Sequence, residues 1–229
     1  MDLAEMKAEL LDLVDPSLAA YLQKVVTDTR YPMLCVAVPQ VRRVAKRAAK
    51  EDFAPLLGGP FDSFELLLCT GLAVAYAKAP LAQRLDGLRK LLPHLDSWAL
   101  TDCIFPTLRF AEGERQLLWD FAMECLKARE EYTVRSGIVL LLRFFLTKKD
   151  IPQVCHCLQR LQDDRYYVQM AVAWCFAEMA VTDFEIVENT LESGDLDLFI
   201  HNKTIQKIRE SYRIPAEKKE AALRLRRKL

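Results

Sequence analysis

The sequence is poor in glycine, with 7 glycines among 229 residues, and it has only 10 prolines. Collagen-like repeats, glycine-rich phosphate loops and turn-dense β-sandwiches all need glycine at special backbone angles, so this scarcity argues against them. No apolar run reaches the length of a membrane span, because the richest, residues 64–79, is interrupted by Glu65 and Thr70. The acidic, amphipathic N-terminus lacks the pattern of a signal peptide. We therefore expect a cytoplasmic protein that contacts no membrane.

Cofactor and metal motifs are also missing. The seven cysteines form no regular framework, which is typical of reduced thiols in the cytosol. Cys155, His156 and Cys157 are possible metal ligands, but no second cluster accompanies them, so we predict no zinc site. No Walker loop, GxGxxG or HExxH motif is present, and no histidine is clearly poised beside a thiol as a base. We expect no metal and no nucleotide cofactor.

The net charge is zero, because 32 basic residues balance 32 acidic ones. A neutral total argues weakly against binding to nucleic acid. The charges are unevenly distributed, however: residues 201–229 carry ten Lys or Arg and three Glu, and residues 42–50 carry no acid. The second segment contains five bases: Arg42, Arg43, Lys46, Arg47 and Lys50. Such a pattern suits either a solvated helix face or a cationic binding surface.

Apolar residues recur at helical spacing almost throughout the chain, and no convincing alternating strand is present. Proline and glycine divide it into stretches of about 10 to 20 residues, which are ordinary helix lengths. We predict an all-α fold, a HEAT-like α-solenoid of stacked antiparallel helix pairs in a single domain over residues 1–229. Helix succession alone supports the solenoid, since internal sequence similarity is weak. The concave face of such a stack suits either a protein partner or a long ligand.

Two tryptophans lie outside the apolar stripes of their predicted helices. In a helix over residues 96–110, Trp98 and Asp102 lie four apart, opposite the stripe, with Phe105 beside them and a bend expected at Pro106. The stripe consists of Leu100, Cys103, Ile104, Thr107 and Leu108. In a helix over residues 165–181, Trp174 lies well away from the stripe, at about 100° per residue; the stripe consists of Val168, Ala171, Val172, Cys175, Phe176 and Met179. Each tryptophan could simply pack on a neighbouring helix, and Asp102 could be a solvated charge. Together they make a shared aromatic and acidic site more plausible.

A similar ambiguity applies to Arg135, at the edge of the apolar stripe of its own helix. Its side chain could line that site, or lay its stem along the protein surface.

These segments resemble, in order and spacing, the AlkD family of bacterial DNA alkylation-repair glycosylases. The quoted segments are LDSWALTDCIFPTLRF, EEYTVRSGIVLLLRFF, DDRYYVQMAVAWCFAEMAVTDFEIV and FIHNKTIQKIRESYRI, with AVPQVRRVAK upstream. The resemblance covers roughly residues 31–214. Where the family often has a second tryptophan and an acid around the first tryptophan, this chain has Ser97 and Ala99.

The resemblance implies a solenoid that binds duplex DNA in a concave groove. It further implies excision of cationic N3- and N7-alkylpurines without base flipping. Trp98, Asp102 and Trp174 match the family's catalytic cleft, and Arg135 matches its phosphate contact. Arg42, Arg43, Lys46 and Arg47 match its basic helix. The expected partner is double-stranded DNA containing alkylated bases, bound by a monomer in the bacterial cytosol, at the nucleoid.

Two other interpretations stay open at the sequence level. One is a non-catalytic helical scaffold for a protein partner, which leaves the Trp98, Asp102, Arg135 and Trp174 set a coincidence. The other is a relative that binds unusual DNA structures without cutting glycosidic bonds. Binding to alkylated and plain duplexes, followed by an abasic-site assay, separates the three.

Overall fold

The computed structural model describes residues 1–228, which form helices and connecting turns and contain no β-strand. This confirms the all-α prediction. Each helix within residues 1–228 is too short or too polar to span a bilayer. The α-helices are α1 Leu3–Leu11, α2 Ala19–Val25, α3 Val38–Ala48, α4 Phe64–Tyr76, α5 Leu81–Leu91, α6 Trp98–Ile104, α7 Arg115–Leu126, α8 Glu131–Phe144, α9 Ile151–Gln159, α10 Tyr166–Thr182, α11 Phe184–Ser193, α12 Leu198–Glu210 and α13 Ala216–Arg224.

The chain folds as two compact units, residues 1–121 and residues 122–229. The first unit is built around α4, which is buried on every side from Phe64 to Ala75. Helices α1, α3, α5 and α6 pack against it. Helix α6 approaches α4 closely because Gly71 has no side chain: a Cβ there would lie 2.4 Å from Cδ1 of Ile104. This contact places α6 on the surface of the α4 core.

The second unit is built around α10, a helix of 17 residues that is buried over most of its circumference. Helices α8, α9, α11 and α12 pack against α10, and α13 packs against α11 and α12. The most extensive contacts join alternate helices, α8 with α10 and α10 with α12. Contact between alternate helices is typical of stacked helical repeats. The arrangement is therefore solenoid-like, whereas HEAT-type repeats, a concave groove and a single continuous domain stay predictions.

The expectation for the helix around Pro106 is wrong in two respects. Helix α6 does not bend at Pro106 but ends at Ile104, and residues Phe105–Thr107 form a 3-10 turn. Proline has no N–H to donate to the carbonyl of Asp102, so the α-helical ladder stops there. Phe105 does not lie on the open face beside Trp98: it is only 1% exposed, because the tighter turn directs it into the core.

Candidate active site and DNA-contacting residues

Helix α6 carries Trp98 and Asp102 on its more open side. Trp98 is the first residue of this seven-residue helix, and Asp102 follows one turn later. Both side chains are half-buried, whereas Leu100 and Ile104 are at most 1% exposed on the core side. Residues four apart on a helix lie above one another, so the indole and the carboxylate share a face.

A buried threonine connects these two residues. The Oγ1 atom of Thr101 lies 2.8 Å from the backbone carbonyl of Trp98 and 3.0 Å from Oδ1 of Asp102. The hydroxyl has one hydrogen, so it donates to one of these oxygens at a time. Sequence reasoning missed Thr101, because a threonine inside a helix carries no signal that distinguishes it from core filling.

The N-terminus of α6 is held by a second segment of the chain. Asp28 accepts from the hydroxyl of Ser97 at 2.8 Å and from the backbone N–H of Trp98 at 2.9 Å. In return, Asp96 accepts from the hydroxyl of Thr29 at 2.9 Å and from the backbone N–H of Arg30 at 2.7 Å. We call this reciprocal arrangement of residues 28–30 with residues 96–98 the aspartate bridge. Within this bridge, the bonds of Asp28 hold the backbone from which Trp98 projects.

Arg42 holds the other end of the same helix. Its Nη1 atom donates to the hydroxyls of Tyr76 at 2.9 Å and Thr107 at 3.0 Å. Its Nη2 atom lies 3.3 Å from the carbonyl of Cys103, which Thr107 also approaches through its hydroxyl at 2.8 Å. These contacts satisfy a carbonyl that the 3-10 turn leaves without a helical partner. Burial raises the pKa of the Cys103 thiol, and nearby Arg42 opposes that shift only in part.

The other predicted phosphate contacts on α3 differ in what surrounds them. Arg43 and Lys46 are exposed, and the Nζ atom of Lys46 lies 5.3 Å from the ring centroid of Tyr76. Arg47 forms an ion pair with Glu9 of α1. The basic segment therefore contains both exposed cations and cations engaged by the protein itself.

In the second unit, the sequence correctly predicted the core side of α10. All six stripe residues are buried: Val168, Ala171, Val172, Cys175, Phe176 and Met179. Trp174 is half-buried and lies on the helix face that also carries Met170 and Glu178. Trp174 thus lies off the core stripe of its helix, as the rotation of about 100° per residue predicts.

Arg135 lies in α8 and is 5% exposed. Its Nη1 atom donates to the backbone carbonyl of Tyr167 in the first turn of α10 at 2.7 Å. The amide N–H of Tyr167 in turn donates to Oε1 of Glu131 at 2.9 Å, and the rings of Tyr167 and Tyr132 lie 5.7 Å apart. Arg135 is therefore more deeply buried than its position at the edge of a stripe predicts, and it contributes to the junction between α8 and α10.

Comparison with models of known protein families assigns the chain to one of them. The family model described as DNA alkylation repair enzyme matches residues 6–213, which is most of the sequence. The chain belongs to the DNA alkylation repair enzyme family. No curated protein matches it significantly.

Membership in this family gives the chain a role in repair of alkylated DNA, with DNA as its substrate. The residues that the sequence predicts for the site divide between the two units: Trp98 and Asp102 lie in the first, and Arg135 and Trp174 in the second. Their assembly into one cleft stays a prediction. Among residues 1–228, no group of three or more His, Cys, Asp or Glu side chains is arranged to hold a metal ion.

Proposed function

We propose that the protein is a DNA glycosylase that hydrolyses the N-glycosidic bond of cationic N3- or N7-alkylated purines in duplex DNA. The observation that carries the proposal is the half-buried Trp98 and Asp102 pair on one face of α6, in a chain of the DNA alkylation repair enzyme family. A half-buried position leaves both side chains accessible to a substrate while the core fixes their backbone.

The chemistry of the lesion suits this pair of residues. Alkylation at N3 or N7 gives the purine a positive charge, which makes it a good leaving group without protonation. As the glycosidic bond lengthens, the deoxyribose develops the charge of an oxocarbenium ion. In the proposed mechanism, the carboxylate of Asp102 stabilises this charge and positions the attacking water. Thr101, with its hydroxyl 3.0 Å from Oδ1, restrains the carboxylate.

We assign binding of the cationic nucleotide to the two tryptophans. The face of an indole attracts a cation by up to about 2 kcal/mol when the pair is desolvated. Trp98 and Trp174 are both half-buried, so part of each indole is open to a ligand. In this proposal the alkylated base is not extruded from the DNA duplex into a protein pocket, which avoids the unstacking cost of base flipping.

Phosphate contacts complete the proposal. We propose, from the match to the family's phosphate contact, that Arg135 contacts a phosphate near the lesion; its side chain is 5% exposed and its Nη1 atom donates to Tyr167 in the unbound chain, so this contact requires DNA binding to expose the guanidinium. On α3, exposed Arg43 and Lys46 are proposed to contact the DNA backbone. Arg42 and Arg47 contact protein groups in the unbound chain, and salt titration of their variants separates a structural role from a phosphate contact.

The experiment is incubation of chelator-treated protein with a duplex that contains one 7-methylguanine, followed by alkaline cleavage at abasic sites. The expected result is strand cleavage at the lesion well above that of the same duplex incubated without protein, with none in the unmodified duplex. Tight DNA binding without abasic sites, across several cationic lesions, would instead favour the non-catalytic relative. Absence of DNA binding would favour the protein scaffold.

A further inference from the structure

We propose that Asp28 is a positioning residue for the Trp98 and Asp102 pair, acting through the first turn of α6. This inference rests on the proposed glycosylase function for its catalytic consequence. Its structural part stands on the aspartate bridge alone. Asp28 is separated from Trp98 by 70 positions in the sequence, yet its two carboxylate oxygens contact the residue before the helix and the first residue in it.

The contacts of Asp28 form a relay at the start of the helix. Ser97 is the N-cap of α6, and its Oγ accepts from the backbone N–H of Ala99 at 3.2 Å. Because Asp28 accepts the hydroxyl hydrogen of Ser97, the lone pairs of Oγ stay directed at Ala99. The other oxygen of Asp28 accepts the N–H of Trp98, one of the backbone donors that a helix start leaves without a partner. A carboxylate at this position also interacts favourably with the helix dipole.

Helix α6 depends on these bonds more than a longer helix would. It has only seven residues, and isolated helices of that length are not stable in water. Trp98 is its first residue, so the direction of its Cα–Cβ bond is set where the aspartate bridge holds the chain. The same first turn reaches Asp102, because Thr101 contacts both the carbonyl of Trp98 and the Asp102 carboxylate. A shift of the first turn therefore moves the indole and the carboxylate together.

The aspartate bridge also supplies a matched control. Asp96 accepts one hydroxyl and one backbone N–H, as Asp28 does, but its partners Thr29 and Arg30 lie on the opposite segment. Removal of either carboxylate breaks one hydroxyl and one backbone N–H hydrogen bond within one bridge, and Asp96→Ala also removes an ion pair with Arg30, whose Nε atom lies 3.7 Å from Oδ2 of Asp96. Only removal of Asp28 releases the hydroxyl of Ser97 and the N–H of Trp98. Loss of stability is common to both variants, whereas displacement of Trp98 is specific to one.

The test compares Asp28→Ala, Asp28→Asn and Asp96→Ala in the full chain labelled with 5-fluorotryptophan. The fluorine resonance of Trp98 is assigned by its loss in Trp98→Phe. We expect it to shift or broaden in Asp28→Ala and to stay near its wild-type position in Asp96→Ala. Asp28→Asn retains an oxygen for the N–H of Trp98 and should restore the resonance. If Asp28→Ala does not fold, Asp28→Ser replaces it.

A second experiment measures excision by the same variants, with enzyme in excess over a duplex that contains 7-methylguanine. The excision rate constant should fall about tenfold or more in Asp28→Ala, while the Kd for DNA changes less than about threefold, because a misplaced catalytic group affects reaction more than binding. Asp28→Asn should recover most of the rate. If the wild-type chain excises nothing, the glycosylase proposal fails, and the fluorine spectra still decide the positioning role. Equal spectra and equal rates for Asp28→Ala and Asp96→Ala would overturn it.

Discussion

Replacement of Asp102 by asparagine tests the chemistry assigned to α6. The substitution keeps the size of the side chain and an oxygen that can accept from Thr101, whose hydroxyl lies 3.0 Å from Oδ1. It removes the negative charge and replaces the second carboxylate oxygen by an NH2 group. Because Asp102 is half-buried and lies away from the core residues Leu100 and Ile104, the fold should tolerate the change. An altered rate in the variant would therefore report on charge.

The expected magnitude follows from Coulomb's law and the exposure of the carboxylate. Two unit charges about 4 Å apart interact by about 4 kcal/mol at an effective dielectric constant of about 20. The charge on an oxocarbenium-like sugar is partial, and Asp102 is only half-buried, so we expect about 3 kcal/mol. That value corresponds to a decrease of roughly 10²-fold in the excision rate constant. DNA affinity should stay level or rise, since a negative charge has been removed near phosphates.

The assay is single-turnover excision of 7-methylguanine from duplex DNA, with binding and thermal unfolding measured on the same protein. Asp120→Asn is the matched control, because it removes one negative charge from an exposed side chain of the same unit. The control should excise at the wild-type rate. A folded Asp102→Asn protein with wild-type excision would refute the assigned role, and loss of folding would identify Asp102 as a structural hydrogen-bond acceptor.

Three further predictions concern DNA contact, pH and packing. Arg43→Gln should reduce the slope of log affinity against log salt concentration by about 1, whereas Arg42→Gln should leave the slope unchanged. An equal reduction of the slope in both variants would show that both arginines contact phosphates. Burial chiefly lowers the pKa of His201, so the unfolded chain binds more protons just below pH 6.5, and the free energy of unfolding should fall as the pH drops through that value. Urea unfolding at about pH 5 and about pH 7.5 checks this, and an equal fall in His201→Gln would contradict it. Gly71→Ala should cost roughly 1–3 kcal/mol in the same measurement, because its Cβ would meet Ile104, whereas Gly113→Ala, with open space around it, should cost little.

Helix periodicity predicted much of the fold, because burial follows the apolar stripe wherever one side of a helix faces the core. The six stripe residues of α10 are all buried, and that helix begins at Tyr166, one residue from its predicted start. Periodicity failed at Pro106, where the stripe continues through Leu108 although the helix ends at Ile104. There the missing N–H of proline outweighs the apolar pattern.

The surroundings of the candidate site could not be predicted from local pattern. Asp28 and Arg42 contact α6 from distant segments, and neither lies in a sequence motif that predicts which residue it contacts. The sequence predicted both Arg42 and its neighbour Arg43 as DNA contacts, yet Arg42 is directed into the protein and Arg43 is exposed. Their difference depends on which side of α3 faces α4 and the turn after α6, which only the tertiary arrangement decides.

The most direct test of the proposed function is mass spectrometry of the products released from a duplex containing 7-methylguanine or 3-methyladenine. The account predicts that the free purine leaves with its methyl group intact and that an abasic sugar remains in the strand, with no metal or nucleotide added. A repaired base that stays in the DNA, or a lesion that is bound and left unchanged, would contradict it.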